Sequence, residues 1–257
     1  MDGKAKKKDK KEMRSGYTTG ACATATTKAA LLALITGEQQ TESTIFLPVG
    51  KFATFEMESC VVESDYAEAG TIKDAGDDPD ATHGALIKST VSWSDKPGIL
   101  LDGGIGVGRV TKDGLPVPVG EAAINPVPRK MILETAEEVL TTHGITRGIS
   151  IIISVPDGEK MAEKTLNKRL GIIGGISILG TRGTVIPFSS SAYMASIVQA
   201  ISVARASQCE HVVFTKGGRS EKYGMQQYPD LPEEAFIEMG DFVGFTLKQC
   251  KRQGIKK

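Results

Sequence analysis

The segment Asp74-Ala-Gly-Asp-Asp-Pro-Asp-Ala-Thr-His-Gly84 gathers four carboxylates, Asp74, Asp77, Asp78 and Asp80, with His83 in one short stretch. Like charges this close repel, so such a loop either binds something or holds a tight turn for which Asp and Gly supply the backbone angles. Asp77, Asp78, Asp80 and His83 are therefore the loop's candidate functional groups. The bland alternative is a solvated acidic turn between two strands. The order of residues does not match an EF-hand, and the three histidines are too dispersed for paired-histidine spacing, so no metal site is expected. His143 sits at a predicted helix end and His211 heads a predicted strand.

A second group of candidates can hold anions. Arg14, Arg109, Arg129, Arg169, Arg182 and Arg219 each stand beside a glycine-rich turn or a helix start. A guanidinium next to exposed backbone N–H groups suits a ligand with several carboxylates or phosphates. The Gly103, Gly104, Gly106 and Gly108 loop invites a dinucleotide-binding reading, yet Arg109-Val-Thr-Lys-Asp-Gly-Leu-Pro after it reads as strand and turn. The helix N-terminus that would hold a pyrophosphate is missing. The glycines then either let backbone approach a bulky ligand or form a bulge in a twisted strand. No G-x-S-x-G elbow and no P-loop lysine is present.

Composition narrows the class. The 257 residues carry 31 Lys+Arg and 31 Asp+Glu, a formal net charge of zero that gives no footprint for nucleic acid. Cys22, Cys60, Cys209 and Cys250 form no CxxC pair, which points to a reduced, cytoplasmic protein without a disulfide framework. No apolar run is long enough to span a bilayer, and the lysine-rich start has no apolar core behind it. Residues 1–14 are expected as a disordered basic tail.

The elements that must position these residues follow from caps and periodicity. Thr18-Thr19-Gly20 opens an Ala/Thr-rich helix that stops at Gly37, with N–H groups at its start that could hold an anion. Strands are predicted over 44–48, 52–58, 60–64, 85–93 and 99–101. Asn125-Pro126 starts a helix to about Thr142. Ile149 to Val155 reads as a strand covered on both faces. Past a second glycine-rich segment, 170–183, a boundary near Pro187 is expected. Beyond it come a helix over 189–206, a strand over 211–215, the loop Lys216-Gly-Gly-Arg-Ser220 and a helix over 232–253. The predicted fold is an α+β domain with a mixed sheet over 15–187, followed by a smaller, Rossmann-like α/β unit over 188–257. A parallel partner strand is missing from the predicted second unit at Lys257, so either that unit is truncated or its sheet is completed differently.

Together, Arg14-Ser-Gly-Tyr-Thr-Thr-Gly20, the 74–84 loop, Gly104-Ile-Gly-Val-Gly-Arg-Val110, Ala123-Ile-Asn-Pro-Val-Pro-Arg129 and the 163–181 segment resemble the CbiD family. These are the cobalt-precorrin-5B C(1)-methyltransferases of anaerobic cobalamin biosynthesis. The resemblance runs from about Arg14 to the C-terminus, and the family continues beyond Lys257. It implies methyl transfer from S-adenosylmethionine to C-1 of a corrinoid, with cobalt carried only by the substrate. It also implies a small-molecule tetrapyrrole substrate, neighbouring cobalamin-pathway enzymes as partners, and neither nucleic acid nor membrane. Arg14, Thr18, Thr19, Arg109, Asn125, Arg129 and Arg182 are then the expected substrate contacts. Ligands of open parallel sheets bind beyond the carboxyl ends of strands, so Gly217, Gly218, Arg219 and Ser220 are the expected contacts of S-adenosylmethionine. The rivals are a non-catalytic tetrapyrrole-binding or channelling protein and a metalloenzyme using the acidic loop.

Overall fold

The computed structural model describes residues 13–255, so the expected basic tail lies outside the described residues apart from Met13 and Arg14. The chain begins with β1 (Gly16–Tyr17), α1 (Thr19–Thr36), β2 (Glu42–Leu47), β3 (Lys51–Glu56), β4 (Ser59–Val62), β5 (Tyr66–Ile72) and β6 (Leu86–Ser94). It continues through β7 (Ile99–Gly103), β8 (Gly106–Val107), β9 (Arg109–Val110), α2 (Pro126–Thr142), β10 (Gly148–Ser154), α3 (Gly158–Ala162), β11 (Ile172–Ile173), β12 (Gly175–Ile176) and β13 (Thr184–Val185). The last part is α4 (Ser190–Ala206), β14 (Val213–Thr215), α5 (Gly218–Gln227), β15 (Phe236–Glu238) and α6 (Val243–Gln253).

The main sheet is mixed and five-stranded, in the order β4-β5-β6-β10-β7; only β10 and β7 run parallel. Helix α1 lies against it and against α2, and is buried nearly all round. Its composition makes that possible. Ala and Gly let neighbouring backbone come close, and the buried Thr24, Thr26 and Thr27 donate their hydroxyls back to the carbonyls of Gly20, Cys22 and Ala23. Thr18 caps the helix by accepting from the Ala21 N–H, and Gly37 closes it in the left-handed region.

Several expectations need correction. Strand β5 has no counterpart among the predicted strands because Tyr66-Ala-Glu-Ala-Gly-Thr-Ile has weak strand character; its Ala67 and Ala69 are fully buried beneath α1, where larger side chains would not fit. Strand β10 buries Ile149, Ile151 and Ile153 completely, whereas Ser150, Ile152 and Ser154 alternate as half-buried, so one face is covered less than expected. Residues 218–220, expected in a loop, form the first turn of α5. The helix expected over 232–253 is instead a short 3-10 turn at Glu233–Ala235, then β15, then α6. Phe236 and Ile237 are buried, and β15 pairs parallel with β14 in the register Val213↔Phe236 to Thr215↔Glu238. The partner strand thus lies inside the expected helix. A separate apolar cluster of Ile197, Ile201, Ala204, Ile237 and Cys250 holds α4 and α6 against this small sheet.

Candidate functional site

The N-terminal turns of α1 and α2 meet over the strand-like segment 177–179. The Gly20 N–H donates to the Leu179 carbonyl at 3.0 Å and the Asn125 N–H to the Ile178 carbonyl at 2.9 Å. Pro128, in the first turn of α2, packs so tightly on Gly20 that a side chain there would collide with its ring. Two helix N-termini side by side make a local positive potential. Arg129 and Arg182 stand beside it, Arg182 exposed and with no ion pair among the described residues. Thr18 and Thr19 are buried inside this junction. The Thr19 hydroxyl lies 3.2 Å from the Ser177 carbonyl and accepts from the Leu179 N–H, and Thr18 spends its hydroxyl on the cap. The N–H groups of Gly20 and Ala21 are therefore already partnered, against the expectation that they stand free for an anion. Asn125 is the N-cap of α2 by backbone geometry, but its side chain makes no cap hydrogen bond.

From this junction the short β1–β13 ribbon, Tyr17↔Thr184 and Gly16↔Val185, leads over about 7 Å to the acidic loop. Gly16 and Gly76 press together where β1 meets the loop. A side chain on either would overlap backbone of the other strand, and Gly76 sits at φ 69°. Arg14 clamps this end. Its guanidinium forms a two-pronged ion pair with Asp74, one prong at 2.9 Å, and its N–H donates to Asp77 at 2.8 Å. The Arg14 guanidinium and the Gly76 N–H hold the Asp74 carboxyl down to about 2. Asp80 faces Lys73, which is only 1% exposed, at 2.7 Å. Burial pushes the Asp80 carboxyl up, but the Lys73 ammonium and the Thr82 hydroxyl and N–H outweigh it and leave it below the usual carboxylate range.

The remaining acidic-loop residues are held less completely. Asp78 accepts the Phe188 N–H at 2.9 Å through Oδ1. Phe188 is a large exposed aromatic residue at φ 52°, a strained conformation for a non-glycine residue and one that no sequence signal announces. The exposed His83 accepts the Ala75 N–H at Nδ1, 3.1 Å away, which puts the proton of the neutral ring on Nε2. In that form Nε2–H is a donor open to a ligand. Among the described residues no group of His, Cys, Asp and Glu side chains is placed to hold a metal ion.

Arg109 and Arg129 belong to one ionic network beside the same region. Arg109 pairs with Asp102 at 2.7 Å and reaches the Gly120 carbonyl, and Arg129 pairs with Glu121 at 3.2 Å. Arg109, with Arg129 as a smaller influence, depresses the Asp102 carboxyl. Arg129 also lines a groove of about 470 Å³ walled by Pro116, Pro118, Ile124 and Leu133. Within the 103–108 loop, Gly106 has a packing part to play. A side chain at Gly106 would overlap the Val155 carbonyl, and side chains at Gly158 or Gly175 would overlap the Gly106 carbonyl, so these glycines bring backbone against backbone. Arg169 is withdrawn from ligand binding: only 14% exposed, it is locked onto Glu221 in α5 and reaches the Phe236 carbonyl. The β1–β13 ribbon, with Arg14 and Arg182 close to its ends, thus links the helix junction that holds Thr18, Thr19, Asn125 and Arg129 to the acidic loop that holds Asp77, Asp78, Asp80 and His83, while Arg109 stands with Asp102 near Arg129. Gly217, Gly218, Arg219 and Ser220 lie apart in sequence, at the carboxyl end of β14.

Residues 6–187 match the family model described as CbiD. The chain belongs to the CbiD family. Relatives of this family member include a protein from Priestia megaterium, 72% identical over 97% of this chain and 68% of its own length. Another, from Geobacillus sp. (strain WCH70), is 74% identical over 96% of this chain and 68% of its own. Both are named cobalt-precorrin-5B C(1)-methyltransferase. The crystal structure of a cobalamin biosynthesis protein (cbiD) from Archaeoglobus fulgidus aligns with a TM-score of 0.55 at 27% identity, covering 94% of this chain and 85% of that one. The mixed sheet with its covering helices is thus a CbiD-like fold. Among the described residues no helix is long and apolar enough to cross a membrane.

Proposed function

We propose that this chain methylates C-1 of cobalt-precorrin-5B to give cobalt-precorrin-6A in anaerobic cobalamin biosynthesis, with S-adenosylmethionine as the methyl donor. The observation that carries this is the shared name of relatives 72% and 74% identical over almost the whole chain. The site is chemically apt. The acetate and propionate carboxylates of the macrocycle find complementary charge at Arg129 and Arg182, with Arg109 and Arg14 at the margins. The His83 Nε2–H adds a neutral donor, and Asn125 an amide without a cap partner. Cobalt belongs to the substrate.

In the transfer, the methyl carbon's bond to the sulfonium sulfur breaks with both electrons staying on sulfur, while ring C-1 supplies the pair for the new C–C bond. Alignment of these atoms does most of the work. Within the acidic loop Asp78 is the group for developing positive charge or proton uptake, because its Oδ2 has no hydrogen-bond donor among the described residues. Asp80 is tied to Lys73 and Thr82, and Asp77 to Arg14. The methyl donor is assigned to the Gly217–Gly218–Arg219 turn, in a C-terminal Rossmann-like unit over 188–257 that follows the 15–187 unit. The protein works in the cytoplasm beside other enzymes of the pathway.

Anaerobic incubation with cobalt-precorrin-5B and S-adenosylmethionine, read by the mass of the tetrapyrrole, should show the gain of one methyl group. Macrocycle binding without that gain would favour a non-catalytic tetrapyrrole carrier. Asp78→Asn should lower turnover at least tenfold with the fold intact; unchanged turnover removes Asp78 from the mechanism.

A further inference from the structure

We propose that Glu238 recognises the ribose hydroxyls of the methyl donor's nucleoside, with Tyr193 as the residue that positions its carboxylate. The inference rests on the assignment of the donor to the Gly217–Gly218 turn. Strands β14 and β15 are parallel and joined through α5, and Thr215 stands level with Glu238. The Gly217–Gly218 turn therefore leaves the carboxyl end of one strand while Glu238 ends the other. The two face each other: Glu238 Oε1 would lie 3.7 Å from a Cβ at Gly217, where no other atom comes within 4 Å, and Gly218 opens onto space with nothing within 4 Å. Glu238 follows the first glycine by about 20 residues, the separation at which an acidic residue meets the ribose in nucleotide-binding βαβ units.

The carboxylate is held for such a task. The Tyr193 hydroxyl donates to Oε1 at 3.4 Å, while Oε2 has no donor among the described residues. Tyr193 is seated by the Phe242 ring, 5.6 Å between centroids, and by Gly240 at φ 54°, where a side chain would come within 3.1 Å of the tyrosine hydroxyl. The charge pattern selects the ligand class. The Lys216 and Gly217 N–H groups, which an anion would need, already donate to the Ser220 hydroxyl. Glu238 and the nearby Asp241, itself paired with Lys216 at 2.9 Å, oppose a phosphate. A carboxylate oxygen without a donor beside an open glycine turn suits a vicinal diol on a neutral or cationic nucleoside. Ser220, expected from sequence as a ligand contact, serves the turn's own backbone instead.

The test is calorimetric titration of S-adenosylhomocysteine and its 2′-deoxy analogue into the unaltered chain and into Glu238→Gln, with thermal unfolding as the fold control. The unaltered chain should bind the deoxy ligand about tenfold to a hundredfold more weakly. Glu238→Gln should lose a similar factor for S-adenosylhomocysteine and no longer distinguish the two ligands. Equal binding of both ligands by the unaltered chain overturns the inference without any substitution. Equal affinity of Glu238→Gln and the unaltered chain for S-adenosylhomocysteine also overturns it, and leaves the methyl-donor assignment standing. Binding of neither ligand by the unaltered chain overturns that assignment and the inference together.

Discussion

Lys73 and Asp80 show how a single pair shapes the candidate site. Lys73 is almost wholly buried, and Asp80 is its ion-pair partner at 2.7 Å. Asp80→Asn leaves a buried ammonium without its counter-charge and should destabilise the protein by about 3 kcal/mol, measured by urea unfolding. Lys73→Met combined with Asp80→Asn should recover much of that loss. The same residues set an acid limit. Folding lowers the pKa of Asp74 to about 2 and depresses that of Asp80, so each contributes stability that is fully present above its unfolded value. That contribution is lost as pH falls from about 4 toward 2. The urea midpoint should drop over this window in the unaltered protein, and drop less in the doubly substituted Asp74→Asn, Asp80→Asn chain.

At the scale of elements, close backbone contact governs the glycine-rich segments. Gly106 sits at φ 71° against the Val155 carbonyl, whereas Gly144, also with positive φ, closes α2 where an added Cβ would meet nothing within 4 Å. Both positions carry the left-handed strain of an alanine, about 1 kcal/mol, but only Gly106→Ala adds a backbone clash. Gly106→Ala should therefore cost several times as much as Gly144→Ala in thermal unfolding, or prevent folding. Similar losses at the two positions would mean that conformation alone, and not packing, fixes the glycine at 106.

For the whole molecule, net charge of zero means that any attraction for a polycarboxylate is local. The place proposed for it is beside Arg129 and Arg182, where α1 and α2 start together. Arg129→Ala and Arg182→Ala should each weaken binding of the corrinoid substrate by about tenfold, with a smaller dependence on salt than the unaltered chain, read by fluorescence or absorbance titration. Arg169→Ala should act differently, because Arg169 joins the 163–171 segment to Glu221 of α5: stability should fall while any substrate affinity of the folded fraction holds.

Sequence alone determined the local features whose causes are local. Thr18 and Gly37 bound α1, Asn125-Pro126 starts α2, Ser189 caps α4, and the run after Gly103 is not a dinucleotide fingerprint because no helix follows it. The ordered motifs also carried the family resemblance that the comparisons bear out. What depended on partners distant in the chain was not legible. Strand β5 is built of small residues because α1 lies on it, and β15 is a strand because β14 lies beside it. The His83 tautomer, the strained Phe188 and the Lys73–Asp80 pair exist only once the loop is folded against its neighbours. Caps and periodicity are written within a few residues, whereas burial, register and the charge facing a carboxylate are set by residues that meet only in the tertiary structure.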